Sequence, residues 1–169
     1  MSRPCASPEP ISSPAHFDAV LDQQLKLCHA LEALADSLPD QIDTASAMKL
    51  AEDACEMLRD CHDLEENVVF PALMAADPQM DTVLERLRAE HVEDEDLAND
   101  LRRALAGFGR GQPRNESEQV GYMLRCLFTS LRRHVAFERD HLLPLYRRDC
   151  RVDATITPLH PPVRPDRAP

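Results

Sequence analysis

The stretch from His134 to Pro144 reads His-Val-Ala-Phe-Glu-Arg-Asp-His-Leu-Leu-Pro, and the stretch from Cys61 to Pro71 reads Cys-His-Asp-Leu-Glu-Glu-Asn-Val-Val-Phe-Pro. The two align on their prolines: His134-x3-Glu138 ahead of Leu142-Leu143-Pro144, and Cys61-x3-Glu65 ahead of Val69-Phe70-Pro71. A spacing of four places two side chains one turn apart on the same face of an α-helix. The repeat therefore predicts two helices, each of which turns a ligand-type side chain and a carboxylate in one direction.

Working outward, apolar residues at helical spacing mark four segments, at about Ala15 to Ser37, Asp43 or Thr44 to Met74, Asp81 to Ala106, and Asn115 or Ser117 to Arg147. Leu38-Pro39-Asp40, Asp77-Pro78 and the run from Gly107 to Gly111 separate them. Short connections between long helices predict an all-α, up-down-up-down four-helix bundle. The bundle is assigned to residues 15–148, between Pro-rich tails at 1–14 and 149–169 that are expected to be disordered. Only 4 glycines, 4% aromatic residues and no tryptophan argue against a β sandwich or barrel.

The formal charge of -11 argues against nucleic acid and anionic membrane as partners. No run of about 18 apolar residues predicts a membrane span, and the polar start lacks the apolar stretch of a signal peptide. The expectation is a cytoplasmic protein, in which the 6 cysteines are free thiols, ligands or redox groups rather than a disulfide frame.

Turning each helix by about 100° per residue locates its apolar stripe. In the first helix the stripe is Phe17, Val20, Leu27, Leu31, Leu34 and Leu38, with Gln24 near its centre, Cys28 on its edge and His29 opposite. In the second, Leu50, Ala54, Met57, Leu58, Leu64, Val68 and Ala72 form the stripe around Cys61 and Glu65, with His62 on a flank and Glu66 further out. In the third, Val83, Leu87, Leu97, Leu101 and Leu105 surround a central Asp94, with His91 and Glu90 to either side. In the fourth, His134, Glu138 and His141 lie on or beside the stripe formed by Leu124, Leu127, Leu131, Val135, Leu142 and Leu145. Burying these polar groups without partners costs several kcal/mol. A metal ion supplies the compensation, or a dense His–Glu hydrogen-bond network does. His141 has a second reading, as a cation near the end of the helix. Cys28 and Cys61 face each other across adjacent helices and are a candidate redox thiol pair; Cys55 and Cys126 read as small buried hydrophobes.

The pattern resembles the hemerythrin-like HHE cation-binding family. The residues that carry the resemblance are Glu65-Glu66 ahead of Phe70-Pro71-Ala72-Leu73, Glu90-His91 with Asp94, and His134 to Glu138 ahead of Leu142-Leu143-Pro144. It implies a four-helix bundle with a non-haem iron centre and, on this chain, ligands drawn from His91, His134, Glu138, Glu65, Cys61, His141 and His62. Gln24 and Cys61 stand where the family pattern has histidines. His62-x3-Glu66 is the alternative pair on the second helix, reached if that helix rotates or carries a π-bulge. What remains suits one iron or zinc, or a modified di-iron site; a metal-free core is the other outcome. Glu138-x2-His141 also matches half of the ferritin-like signature.

The function implied is binding or sensing of O2, nitric oxide or peroxide in a stress response, with a bundle face presented to a protein partner. Two alternatives stay open. One is an iron-dependent enzyme of peroxide reduction or repair, with Glu65 or Glu138 as proton acceptor. The other is a metal-free or thiol-based redox-responsive interaction protein. The reading favours binding over catalysis and assigns no catalytic residue.

Overall fold

The computed structural model describes residues 13–39, 42–108 and 114–155; of the tails expected at 1–14 and 149–169, residues 1–12 and 156–169 lie outside the described residues. Helix α1 (Pro14–Ser37) opens with Ser13 as its cap, the hydroxyl accepting from the His16 N–H at 3.1 Å, and with a proline in the first turn. Helix α2 (Thr44–Leu64) is capped by Asp43, which accepts from the Ala45 N–H. It runs into a π turn (Glu65–Val69) and then α3 (Phe70–Ala76). A 3-10 turn (Pro78–Met80) leads to α4 (Asp81–Phe108). Helix α5 (Arg114–Phe137) passes through a second π turn (Glu138–Leu142) into α6 (Leu143–Thr155). The described residues thus form four rods, two of them interrupted by a π turn that begins at the glutamate of the repeat.

The prolines account for the place of the interruption. Within a helix, proline removes one hydrogen bond and its ring presses on the carbonyl four residues back. Here the helix widens just before each proline, with Phe70 N–H bonded to Glu65 O and Leu143 N–H bonded to Glu138 O. The chain therefore stays helical past Pro71 and Pro144. The last rod reaches Thr155, beyond the expected end near Arg147 and into the stretch assigned to the tail.

Helix α1 packs mainly on α5, and α2 on α4, with α4 against α5; the α1–α2 seam is thinner. The core divides in two. Leu27, Leu31, Leu58, Leu101, Leu124 and Leu127 belong to one apolar cluster. Phe17, Leu21, Phe70, Leu73, Leu84, Leu87 and Leu142 belong to the other. Between them along every rod lie the buried polar residues: Gln24 on α1, His62 and Glu65 on the second rod, His91 and Asp94 on α4, His134 and Glu138 on the last. Outside, Arg132 bonds Glu32 while Arg139 and Arg147 bond Asp22 and Asp18, tying α1 to the last rod. Such exposed pairs add little, because water and salt screen them. Among the described residues no helix is long and apolar enough to cross a membrane.

The buried face of the second rod differs from the expected stripe. Ala47, Ala51, Cys55, His62, Val69, Phe70 and Leu73 are buried, while Leu50, Met57, Leu64, Val68 and Ala72 are only half-buried. The rod leans on α4 rather than on α1, and past Glu65 the π turn advances the chain by less rotation per residue than an α-helix would.

Candidate metal centre

Four side chains bring ligand atoms together within 4.8 Å of one another: Glu65, His91, His134 and Glu138, all buried. Among the described residues this is the only group of three or more metal-ligating side chains. The carboxylates and the imidazoles arrive by different local devices. Glu65 and Glu138 are the first residues of the two π turns. His134 precedes Glu138 by one turn, their closest atoms 3.5 Å apart. His91 comes from the middle of α4, and its Nε2 is 3.0 Å from Glu65 Oε2, though not aligned as a hydrogen bond. His134 Nε2 lies 3.9 Å from that same oxygen.

The imidazoles are held from behind. His91 Nδ1 lies 2.7 Å from Glu66 Oε1, His134 Nδ1 3.2 Å from Glu90 Oε2, and His62 Nδ1 2.7 Å from Glu95 Oε1. An ionised carboxylate only accepts, so Nδ1 carries the proton in each ring and Nε2 is the atom turned to the interior. A carboxylate behind an imidazole fixes its tautomer and orientation and raises its basicity as a ligand.

These contacts leave a set of buried atoms without hydrogen bonds: Nε2 of His91 and His134, Oε2 of Glu65, and both carboxylate oxygens of Glu138. Two nitrogens and two carboxylates form a donor set suited to iron, zinc and similar divalent ions. Left unmatched, such atoms each cost roughly 1–3 kcal/mol, and more when charged. The residues fit a cation.

Protonation follows the same geometry. Burial alone would depress His134, but Glu138 and Glu65 beside it outweigh that and push it up to about 11. Burial works against ionisation of Glu65, yet His134 and His91 bring it down to about 2. Glu138 is pushed up to about 7, by burial first and by the charge of Glu65 second. His91 is raised, the pull of Glu65 exceeding the effect of burial.

The other expected ligands fall around this group. His62 is buried and stacks on His91, ring centroids 3.9 Å apart and planes 6° apart, but it lies outside the four; burial and the charge of His91 lower its pKa. Cys61 is buried one turn ahead of Glu65, also outside the four. Asp94 is buried with one oxygen unpartnered, and burial raises its pKa. Gln24 is buried and donates from Nε2 to Glu65 Oε1 at 3.1 Å. His29 is exposed, as its place opposite the stripe predicts.

His141 departs from expectation as a ligand. It is exposed, with its ring 4.8 Å from that of Phe137, because it lies within the second π turn, where rotation counted at 100° per residue no longer holds. Nor does it close a helix, since the rod continues to Thr155. Cys28 and Cys61 are both free thiols. Burial pushes Cys28 up to about 11 and Cys61, with help from the Glu65 charge, up to about 12. Both stay protonated near neutral pH, so neither offers the thiolate at which oxidation begins.

Glu66, Glu90 and Glu95 hold the histidines from outside, and reading the apolar stripe alone passes over them. The usable signal is that each buried imidazole needs an acceptor for its second nitrogen. Along the α1–α2 seam runs a cleft of about 670 Å³, lined by Val20, Met57, Cys61 and Val68 among others, with Asp53, Glu56, Asp60 and Asp63 also contributing. Cys61 belongs both to its wall and to the buried layer.

A family model described as the hemerythrin HHE cation binding domain matches residues 18–146. No curated protein and no solved structure matches the chain.

Proposed function

The chain belongs to the hemerythrin HHE cation-binding domain family, and from that premise we propose that it is a non-haem iron protein that binds or senses O2, nitric oxide or peroxide. The observation that supports this best is the group of four buried side chains, each with an unpartnered ligand atom, backed by carboxylates on the far nitrogens of the two histidines. Glu65, His91, His134 and Glu138 would hold the metal. When bound, iron would supply a Lewis-acidic, redox-active centre for a small diatomic ligand or a peroxide.

The chain's own residues define the rest. Glu66 and Glu90 keep His91 and His134 turned inward by Nδ1, so that Nε2 remains the donor atom. The two apolar clusters exclude water from the layer along the bundle axis. In the metal-free chain burial and the Glu65 charge push Glu138 up to about 7, and holding a cation would require its ionised form. The α1–α2 cleft brings small molecules as far as Cys61, one turn from Glu65. In a stress response the output of such a module would pass through a bundle face to a partner protein.

Elemental analysis of the purified chain, with visible spectra recorded anaerobically and after oxygen is admitted, tests the proposal. Bound iron with a spectrum that responds to oxygen or nitric oxide is expected. His134→Ala should abolish metal binding while far-UV circular dichroism stays helical. A chain that takes up no metal after iron loading would sink the reading.

A further inference from the structure

The two halves of the polar layer are unequal. The repeat gives the last rod an imidazole one turn ahead of Glu138, and the second rod a thiol, Cys61, one turn ahead of Glu65. Both oxygens of Glu138 are without hydrogen bonds. Glu65 is divided: Oε1 accepts from Gln24 Nε2 at 3.1 Å, while Oε2 is unpartnered and faces the Nε2 atoms of His91 and His134 at 3.0 and 3.9 Å. Gln24 is fully buried, so its amide meets no water and Glu65 is the partner its N–H group has found.

We infer that this is a single-cation centre, held by Glu65, His91, His134 and Glu138, in which the Gln24 amide occupies the position of a second cation by donating to Glu65 Oε1. The inference rests on the metal-binding reading above and adds the number of ions and the residue that limits it. The two carboxylates of the group match the charge of one divalent ion. Asp94, His62 and Gln24, at its Oε1, each carry an unpartnered atom, but none of them joins the group. Glu65 Oε1 faces an amide and the residue one turn ahead of it is a thiol, where Oε2 faces two imidazoles.

Iron(II) under anaerobic conditions and cobalt(II) in parallel, each added in excess to the full chain and followed by gel filtration and elemental analysis, count the ions directly. One per chain is expected, and two per chain would overturn the inference while leaving the metal reading intact. Uptake of neither metal would overturn the metal reading and this inference with it. The Gln24→His, Cys61→His double variant should take up two ions; a helical double variant that still holds one would show that these residues do not set the number. Gln24→Leu removes the amide without adding a ligand, so it should keep one ion and shift the cobalt(II) visible spectrum as Glu65 Oε1 is released. An unchanged spectrum would overturn the positioning of Glu65 by Gln24.

Discussion

At the scale of single residues, the protons of the buried group oppose the metal. With no cation, His134 is pushed up to about 11 by Glu138 and Glu65 working against burial, so it is charged at neutral pH. Its pKa lies above the unfolded value near 6.5, so its contribution to stability is full below that pH and is lost as the pH rises toward 11. Glu138, raised to about 7 by burial and Glu65, contributes fully below pH 4.5 and loses that contribution as the pH rises through 7. Glu65, brought down to about 2, works the other way: its contribution is present above pH 4.5 and lost as the pH falls toward 2. To ligate, His134 must give up its Nε2 proton and Glu138 must be ionised. Metal uptake at pH 7 should therefore release about one proton or more per chain, read with an indicator dye in weak buffer, and affinity should climb from pH 6 to pH 8. Uptake without proton release would contradict the His134 assignment. The supporting carboxylates give a second expectation. Glu66→Gln and Glu90→Gln should each weaken metal affinity by roughly 10- to 100-fold in competition with a chelator, with helicity unchanged.

At the scale of elements, the two π turns decide what faces inward. If the turn at 65–69 exists to relieve Pro71, deleting the exposed Asn67 forces the proline into a regular α turn, at a cost of about 3 kcal/mol. Adding Pro71→Ala to the deletion should restore most of that loss in urea unfolding, whereas Asn67→Ala alone should change stability by no more than about 0.5 kcal/mol. The same turns explain where periodicity failed beyond the two glutamates, while the misses at Leu50 and Met57 follow from the lean of the second rod onto α4. Up to Glu65 and Glu138 the rotation is that of an α-helix, so Gln24, Cys61, Glu65, His91, Asp94, His134 and Glu138 could be read as inward, and they are buried. Beyond each glutamate the rotation slows. Val69 and Phe70 are then more buried than Val68 and Ala72, and His141 is exposed. Glu66, Glu90 and Glu95 were not legible as partners because they are only partly buried, and their role depends on which ring nitrogen they meet in another rod. His62 lay on a flank in the helical projection; the lean of the second rod onto α4 buries it against His91.

At the scale of the whole molecule, the polar layer separates two apolar clusters that do not depend on it. Each cluster draws side chains from all four rods, so loss of a cation leaves both in place. In the metal-free chain, ion pairing of His91 and His134 with Glu65 and Glu138 further offsets the cost of the buried charges. The bundle should therefore fold without metal, unlike small domains in which the ion supplies the folding free energy. A cation that binds only the folded chain adds RT ln(1 + [L]/Kd), about 2.7 kcal/mol at a hundredfold excess over Kd. For a domain of this size that corresponds to a rise in Tm of roughly 5–15 °C. Thermal unfolding with and without a chelator measures it: the chelated protein should keep its far-UV spectrum and one cooperative transition at lower temperature. Collapse of helicity on chelation would mean that the two clusters cannot hold the rods together across an unneutralised layer. Equal Tm values with and without metal would mean that the ion does not bind the folded chain in preference to the unfolded one.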